Sequence, residues 1–193
     1  GDGMNSLCIY GRDVTPNQHK IADEYLLMDN YYASGKCSAE GHSWTDAAIV
    51  TDYNEKNVRA WFRSYPHVLY DAMVYNKKGF IWNNALDHGK SVRIYGEACV
   101  LDWKGDPSWE AIYRSYLDGK VAPFENVTTI SRVKPILSTT YPGYEGAWVP
   151  DQIRADAFIS ELKQYEEKPG DQLPQLMILA LPNDHTAGMR EGC

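Results

Sequence analysis

Strand-like and helix-like hydrophobic patterns alternate along most of this chain. Apolar residues recur at helical spacing, in several cases after Pro or before Gly, and predict helices over residues 15–28, 42–53, 79–89, 105–119 and 151–166. Short runs of β-branched, aromatic or continuously apolar residues predict strands over residues 31–35, 91–100 and 174–184. Because helices separate the strands, the pattern predicts an α/β fold, a layered sandwich with a mostly parallel central sheet flanked by helices.

Residues 120–149 interrupt this alternation. They are rich in Pro, Gly, Thr and Tyr and have no sustained hydrophobic period. Loops of this length in compact domains are usually functional, so we expect a long, ordered but irregular excursion here. With 193 residues and 44% hydrophobic content, the chain is long enough to form a single domain over residues 1–193 with a substantial core.

The distribution of charge argues against a nucleic-acid partner. The formal net charge is -7, and the Lys and Arg residues are scattered rather than gathered into a basic stripe. No apolar stretch approaches the roughly 20 residues needed to cross a bilayer, so we expect no transmembrane segment. The chain begins without Met and without a signal-peptide pattern, so we expect it to derive from a longer precursor.

A polar cluster, "KCSAEGHSWTD", follows the first predicted strand. Ser38 lies where a helix would begin, and the backbone N–H groups of a helix N-terminus favour an anionic ligand. A serine there can attack phosphorus if a neighbouring base or a metal ion lowers its pKa, and His42 is close enough in sequence to help bind a phosphoryl group. The alternative is a helix-capping serine beside a surface histidine.

A second polar cluster, "LPNDHTAG", follows the last predicted strand. Asn183, Asp184 and His185 combine oxygen ligands with an imidazole, a mixture that zinc, manganese or iron accepts. An Asx-type turn explains the same residues without a ligand. Ligands bind at the carboxyl ends of the strands in such folds, so we expect the two clusters to form one site.

Three further residues are candidates for the same pocket. Arg93 and Glu97 belong to "RIYGE", within the strand pattern over residues 91–100, and a strand with an exposed ion pair is the alternative explanation for them. Lys56 carries a positive charge that could approach a phosphate.

Three segments together resemble a known family: "DNYYASGKCSAEGHSWTDAAIVTDYNEK", "GFIWNNALDHGKSVRIYGE" and "LPNDHTAGMREG". They are similar to the bacterial phosphoesterases of the alkaline phosphatase superfamily, relatives of acid phosphatases and phospholipase C that often carry a β-propeller in the same chain. The resemblance implies an α/β sandwich, a periplasmic or secreted location, and hydrolysis of a small phosphate ester through a phosphoseryl intermediate. It also implies a divalent metal ion, whether zinc, manganese, iron or calcium.

The resemblance assigns roles to particular residues. Ser38, with Gly41 and His42, is similar to the nucleophile element, and Asp184 and His185 are similar to the segment that supplies a metal or phosphate ligand. In the family, further metal ligands precede and follow this region. We therefore expect the chain to be a central part of a catalytic domain, to be inactive or nearly so alone, and to self-associate through exposed sheet edges.

An alternative of another class is a noncatalytic module that binds carbohydrate or peptide. Its exposed Trp and Tyr side chains, especially in "TTYPGYEGAW" (residues 139–148), would stack on the ligand.

Overall fold

The computed structural model describes residues 9–35, 37–56, 72–105, 108–120, 124–144, 149–170 and 172–183. The chain divides into two compact units, the first ending at Ser34 and the second beginning at Gly35. The described ranges combine helices with two small sheets, each of two strands, so the α/β character is confirmed in this coarse form. None of the helices in these ranges has the length and hydropathy needed to cross a membrane.

The first unit contains one helix, α1 (Pro16–Glu24), which confirms the predicted helix after Pro16. Its apolar residues were expected to face a core, but no residue of α1 is buried. The predicted strand over residues 31–35 is wrong, because these residues join neither sheet and the side chains of Tyr31 and Tyr32 are exposed. Aromatic residues alone do not make a strand when no partner edge receives their backbone groups.

A parallel pair of strands, β1 (Val92–Tyr95) and β4 (Leu176–Leu179), lies in the second unit. Val92 pairs with Leu176 and Tyr95 with Leu179, so both strands end at the same edge. The predicted parallel arrangement is confirmed for these two strands. The continuous apolar run of β4 also predicts burial on both faces, and this prediction is wrong. The residues of β4 are half-buried, and Leu179 is 41% exposed.

The predicted irregular excursion is partly regular. Within it, β3 (Phe124–Val127) pairs antiparallel with β2 (Val100–Trp103), and a short 3-10 turn spans Lys134–Ile136. A strand of four residues is too short to show a period of its own. Its existence depends on a partner strand from a distant part of the chain.

The described residues of the second unit form five α-helices. They are α2 (Ser38–Ala47), α3 (Asp52–Lys56), α4 (Ile81–Asp87), α5 (Trp109–Leu117) and α6 (Asp151–Glu166). The Ser108 hydroxyl caps α5 by accepting a hydrogen bond from the Ala111 N–H, whereas Asp106, the predicted cap, lies outside the described residues. In α6 the buried residues are Arg154 and Glu161, charged positions that hydrophobic periodicity does not identify.

The core of the second unit joins α4 to the parallel pair. Trp82 of α4 is fully buried and stacks on Phe80 at 4.6 Å between ring centroids. They pack in one cluster with Ile94 of β1 and with Val133 and Leu137. Burial of a large aliphatic or aromatic side chain stabilises a fold by about 1.5–3 kcal/mol, so this cluster anchors the edge at which β1 ends.

Candidate functional site

A cleft of about 490 Å³ opens at the carboxyl ends of β1 and β4. One wall is the face of α2 that carries Ser38, His42 and Asp46, and the opposite wall is the chain that leaves β4. Glu97, which follows β1, and Tyr144 also line the cleft. The edge of a parallel sheet where strands end is the usual place for a ligand in α/β proteins.

The wall formed by α2 depends on where that helix begins. The helix starts at Ser38, where the sequence indicated a helix start, so Ser38, His42 and Asp46 follow one another at i, i+4 and i+8 on one face. The chain enters α2 through Gly35, where a Cβ atom would lie 2.4 Å from the Cβ of Glu40. Only glycine allows this close approach, because a real Cβ contact is never so short.

Glu97 reaches the cleft through a tight turn after β1. Gly96 has a φ of +84°, in the left-handed region that glycine adopts readily, and a Cβ there would lie 2.9 Å from Cε1 of Tyr141. The turn directs Glu97 away from the strand and into the protein, where it is 4% exposed. The "YGE" part of the predicted motif therefore positions a buried carboxylate.

His42 and Glu97 form a pair in the cleft. Nδ1 of His42 lies 3.3 Å from Oε2 of Glu97, and the imidazole meets the ring of Tyr144 edge-on at 6.0 Å. Burial lowers the pKa of His42, but the hydrogen bond and the charge of Glu97 raise it by more, so the net pKa lies above the ordinary histidine value.

Asp46 completes a cluster that the sequence did not single out. It is 4% exposed, and its Oδ2 atom has no hydrogen-bond partner among the described residues. Burial and the neighbouring charge of Glu97 raise the pKa of Asp46 to about 7, although His42 opposes the shift. The signal was present in the sequence, because Asp46 follows His42 at helical spacing.

The three side chains fit a divalent metal ion. One ligand atom each from His42, Asp46 and Glu97 lies within 4.8 Å of the others. Ligands at about 2.1 Å from a metal are about 3.4–4.2 Å apart, so the three side chains lie close to the spacing that one ion requires. An imidazole with two carboxylates is a ligand set for zinc, manganese or iron.

Arg93 and Lys56, two predicted pocket residues, do not line this cleft. Nε of Arg93 donates to Oε1 of Glu161 at 2.6 Å, and Arg93 faces a separate polar cavity beside α6. Lys56 is exposed at the end of α3 and pairs with Asp52 at 3.5 Å. Arg93 is therefore part of a buried ion pair, and Lys56 is a surface residue.

Of the second predicted cluster, only Asn183 is described. Its backbone N–H donates to Oδ2 of Asp151 at 3.1 Å, and its side-chain oxygen accepts from Arg154 at 3.4 Å. Pro182, one residue earlier, lines the cleft. Asp184 and His185 lie outside the described residues, so their predicted roles stay predictions.

Comparison with family models, with curated proteins and with solved structures finds no match to this chain. The resemblance to phosphoesterases therefore stays a prediction. Any functional conclusion rests on the residues of the cleft.

Proposed function

We propose that this cleft hydrolyses phosphate esters through a phosphorylated Ser38 in the full-length protein, with a divalent metal ion as cofactor. The chain would then be part of a layered phosphoesterase domain of which β1 and β4 are the central strands. One observation carries the proposal: Ser38, His42, Asp46 and Glu97 share a cleft at the carboxyl edge of the parallel strands. Each of these side chains has a use in phosphoryl transfer.

Ser38 is suited to receive a phosphoryl group. It is the first residue of a ten-residue helix, whose N-terminal N–H groups and dipole favour an anion by about 0.3–1 kcal/mol or more. In the first step the Ser38 Oγ–P bond forms, the ester P–O bond breaks, and the hydroxyl proton is passed to the departing alcohol. In the second step water attacks phosphorus, the Oγ–P bond breaks and Ser38 regains its proton, which releases inorganic phosphate.

The neighbours of Ser38 support this chemistry. His42 lies one helical turn away, pairs with Glu97 and lines the same cleft, so its imidazole is placed where a phosphoryl group would bind. A bound metal ion would lower the pKa of the attacking hydroxyl and stabilise the charge on the phosphoryl oxygens. The cluster of His42, Asp46 and Glu97 provides the ligand types for such an ion in the same cleft.

The alternative, a module that stacks aromatic residues on carbohydrate or peptide, receives less support from the segment that motivated it. Tyr141 is fully buried and its hydroxyl donates to the carbonyl oxygen of Ala180. Tyr144 is half-buried against His42. The described part of this segment, residues 139–144, thus has no exposed aromatic ring on which a ligand could stack.

The test is substitution of the nucleophile. Ser38→Ala in the full-length protein should reduce hydrolysis of p-nitrophenyl phosphate by at least about 10³-fold, since removing a covalent nucleophile abolishes the chemical step. Thr45→Ala is the matched control, because Thr45 belongs to the same helix and lines the same cleft. Mass spectrometry after acid quenching should find phosphate on Ser38 of the parent protein.

Turnover by Ser38→Ala equal to that of Thr45→Ala would refute the proposal. Residues 1–193 alone should be much slower than the full-length protein, because the family resemblance puts further ligands outside this chain.

A further inference from the structure

His42, Asp46 and Glu97 form a compact cluster in the cleft, with one ligand atom of each within 4.8 Å of the others. From this cluster we infer a specific binding site for one divalent transition-metal ion, with Asp46 as a ligand that the sequence resemblance does not assign. The inference deepens the proposed function, on which the catalytic use of the ion rests. Binding itself involves only residues of this chain and can be measured without turnover.

The charge balance of the cluster favours a cation. Asp46 and Glu97 are each 4% exposed, whereas the side chain of His42 is 27% exposed. With both carboxylates ionised, the three groups carry a net charge of about -1 when the imidazole is protonated and about -2 when it is neutral. Removing a carboxylate from water costs several kcal/mol unless a counter-charge and hydrogen bonds offset it. A bound divalent cation would supply that counter-charge.

A second and independent observation is the state of Asp46. Its Oδ2 atom is buried, lines the cleft region and accepts no hydrogen bond from any described residue. Buried polar atoms in folded proteins are nearly always satisfied, so such an atom calls for an explanation. A metal ion would use the oxygen lone pairs that the protein leaves unused.

The elements that carry the ligands hold them in place. Asp46 and His42 are spaced one turn apart on α2, and Glu97 is fixed by the Gly96 turn that follows β1. These elements meet through secondary structure rather than through a long loop. The site needs only a small side-chain movement to close around an ion, because all three ligand atoms lie within 4.8 Å.

The donor atoms indicate the kind of metal. An imidazole nitrogen with carboxylate oxygens suits Zn²⁺, Mn²⁺ or Fe²⁺, whereas Ca²⁺ prefers six to eight oxygen ligands at about 2.3–2.6 Å. Three protein ligands leave coordination positions for water or a phosphoryl oxygen, the arrangement of catalytic rather than structural zinc sites. The open side of the cleft gives such a ligand access from solvent.

The test is metal binding by residues 1–193, measured with Zn²⁺ by isothermal titration calorimetry and with Co²⁺ by visible absorption. We expect Asp46→Asn and Glu97→Gln each to weaken Zn²⁺ binding by at least about 10-fold and to change the Co²⁺ spectrum, because each removes a charged ligand. Asp52→Asn is the matched control, an exposed carboxylate on the next helix, and should bind as the parent does. Circular dichroism of each variant confirms that it is folded.

Two results would overturn the inference: no Zn²⁺ binding by the parent chain, or equal binding by Asp46→Asn and Asp52→Asn. The outcome is separable from that for the proposed function. Ser38→Ala should bind Zn²⁺ like the parent, since Ser38 is not a ligand. If Ser38→Ala keeps full turnover in the full-length protein while Asp46→Asn loses metal, the metal site stands and the hydrolytic proposal falls.

Discussion

Two polar clusters are buried in the second unit, one centred on α6 and the other in the cleft beside α2. Both contain charged side chains that are almost entirely removed from solvent. They differ in how those charges are matched. In the α6 cluster, each charged group is surrounded by donors and acceptors of the protein, whereas in the cleft the Oδ2 atom of Asp46 accepts no hydrogen bond from any described residue.

Arg154 illustrates the matched case. It is fully buried, and its guanidinium donates to the carbonyl oxygens of Val149 at 2.5 Å, Gly143 at 2.9 Å and Pro142 at 3.2 Å. It also donates to Oδ1 of Asp151 at 3.0 Å. The rigid fork of an arginine can bind several acceptors at once, so this residue holds the segment before Tyr144 against α6.

Glu161 is matched in the same way. Its carboxylate accepts from Nε of Arg93 at 2.6 Å, from Oγ of Ser138 at 2.7 Å and from the Tyr165 hydroxyl at 3.3 Å. Burial raises the pKa of Glu161, but the hydrogen bonds from Arg93 and Ser138 lower it by more. A buried carboxylate with this many donors is a structural element.

The cleft has the opposite character. The Oδ2 atom of Asp46 accepts no hydrogen bond from any described residue, and the pKa of Asp46 is raised rather than lowered. Clefts with carboxylates of raised pKa are typical of functional sites, because a structural role would select for better-matched partners. The contrast within one chain therefore separates residues that hold the fold together from residues available for a ligand.

The largest expected effect comes from breaking the matched cluster. Arg154→Met should lower the free energy of unfolding by about 3–5 kcal/mol, because Asp151 and several carbonyl oxygens lose their buried donor. Urea titration followed by circular dichroism measures this. Lys163 is exposed on the same helix, so Lys163→Met should change the free energy of unfolding by less than about 0.5 kcal/mol. Equal effects of the two substitutions would contradict the role given to Arg154.

A smaller effect is expected at Glu161, and it should depend on pH. Glu161→Gln should lower the free energy of unfolding by about 2 kcal/mol at pH 7, because hydrogen bonds to a charged acceptor are stronger. The folded-state pKa lies below the ordinary value of 4.5, so this stabilisation is complete above that value and is lost as pH falls through the folded pKa.

Urea titrations at pH 7, 5 and 3 measure that dependence. The difference between the parent and Glu161→Gln should narrow toward pH 3, and Glu166→Gln, an exposed control on the same helix, should show no such trend. A difference that stays constant over this range would contradict an ionised, hydrogen-bonded Glu161.

The smallest expected effect has the opposite sign. In metal-free buffer at pH 8, Asp46→Asn should leave the free energy of unfolding unchanged or raise it by about 1 kcal/mol, because it removes repulsion between buried carboxylates. With Zn²⁺ at 100 times the parent's dissociation constant, the parent should gain about 2.7 kcal/mol, whereas a variant that binds about 10-fold more weakly should gain only about 1.4 kcal/mol. Thermal unfolding with and without Zn²⁺ measures the effect of the substitution and the stabilisation by the metal. A lower stability of metal-free Asp46→Asn than of the parent would show that Asp46 stabilises the fold, as Arg154 and Glu161 do.

Local patterns predicted those elements whose signals are local. Helix α1 follows Pro16, α4 ends before Gly89, and β1 and β4 are apolar runs bounded by polar residues. Strand β3 was not predicted because its four residues form a strand only by pairing with β2. The strand predicted near Tyr31 is wrong because the segment has the composition of a strand but joins neither described sheet.

The candidate site was predictable to a similar extent. Ser38, His42 and Glu97 were candidates from the sequence, and the fold brings them to one cleft. Asp46 was overlooked, although the spacing from His42 was visible. Arg93 was a candidate because "RIYGE" belongs to the family resemblance, but the Gly96 turn separates Glu97 from the strand, and Arg93 binds Glu161 instead.

The sequence by itself determined the alternation of helices and strands, the parallel order of β1 and β4, and the polar residues available at strand ends. These follow from periodicity, capping and turn residues, which act over a few neighbouring positions. Only the tertiary structure decided which charges are matched, because Arg154 finds its acceptors and Asp46 its neighbour Glu97 far away along the chain. Those partners determine whether a buried charge stabilises the fold or is available to bind a ligand.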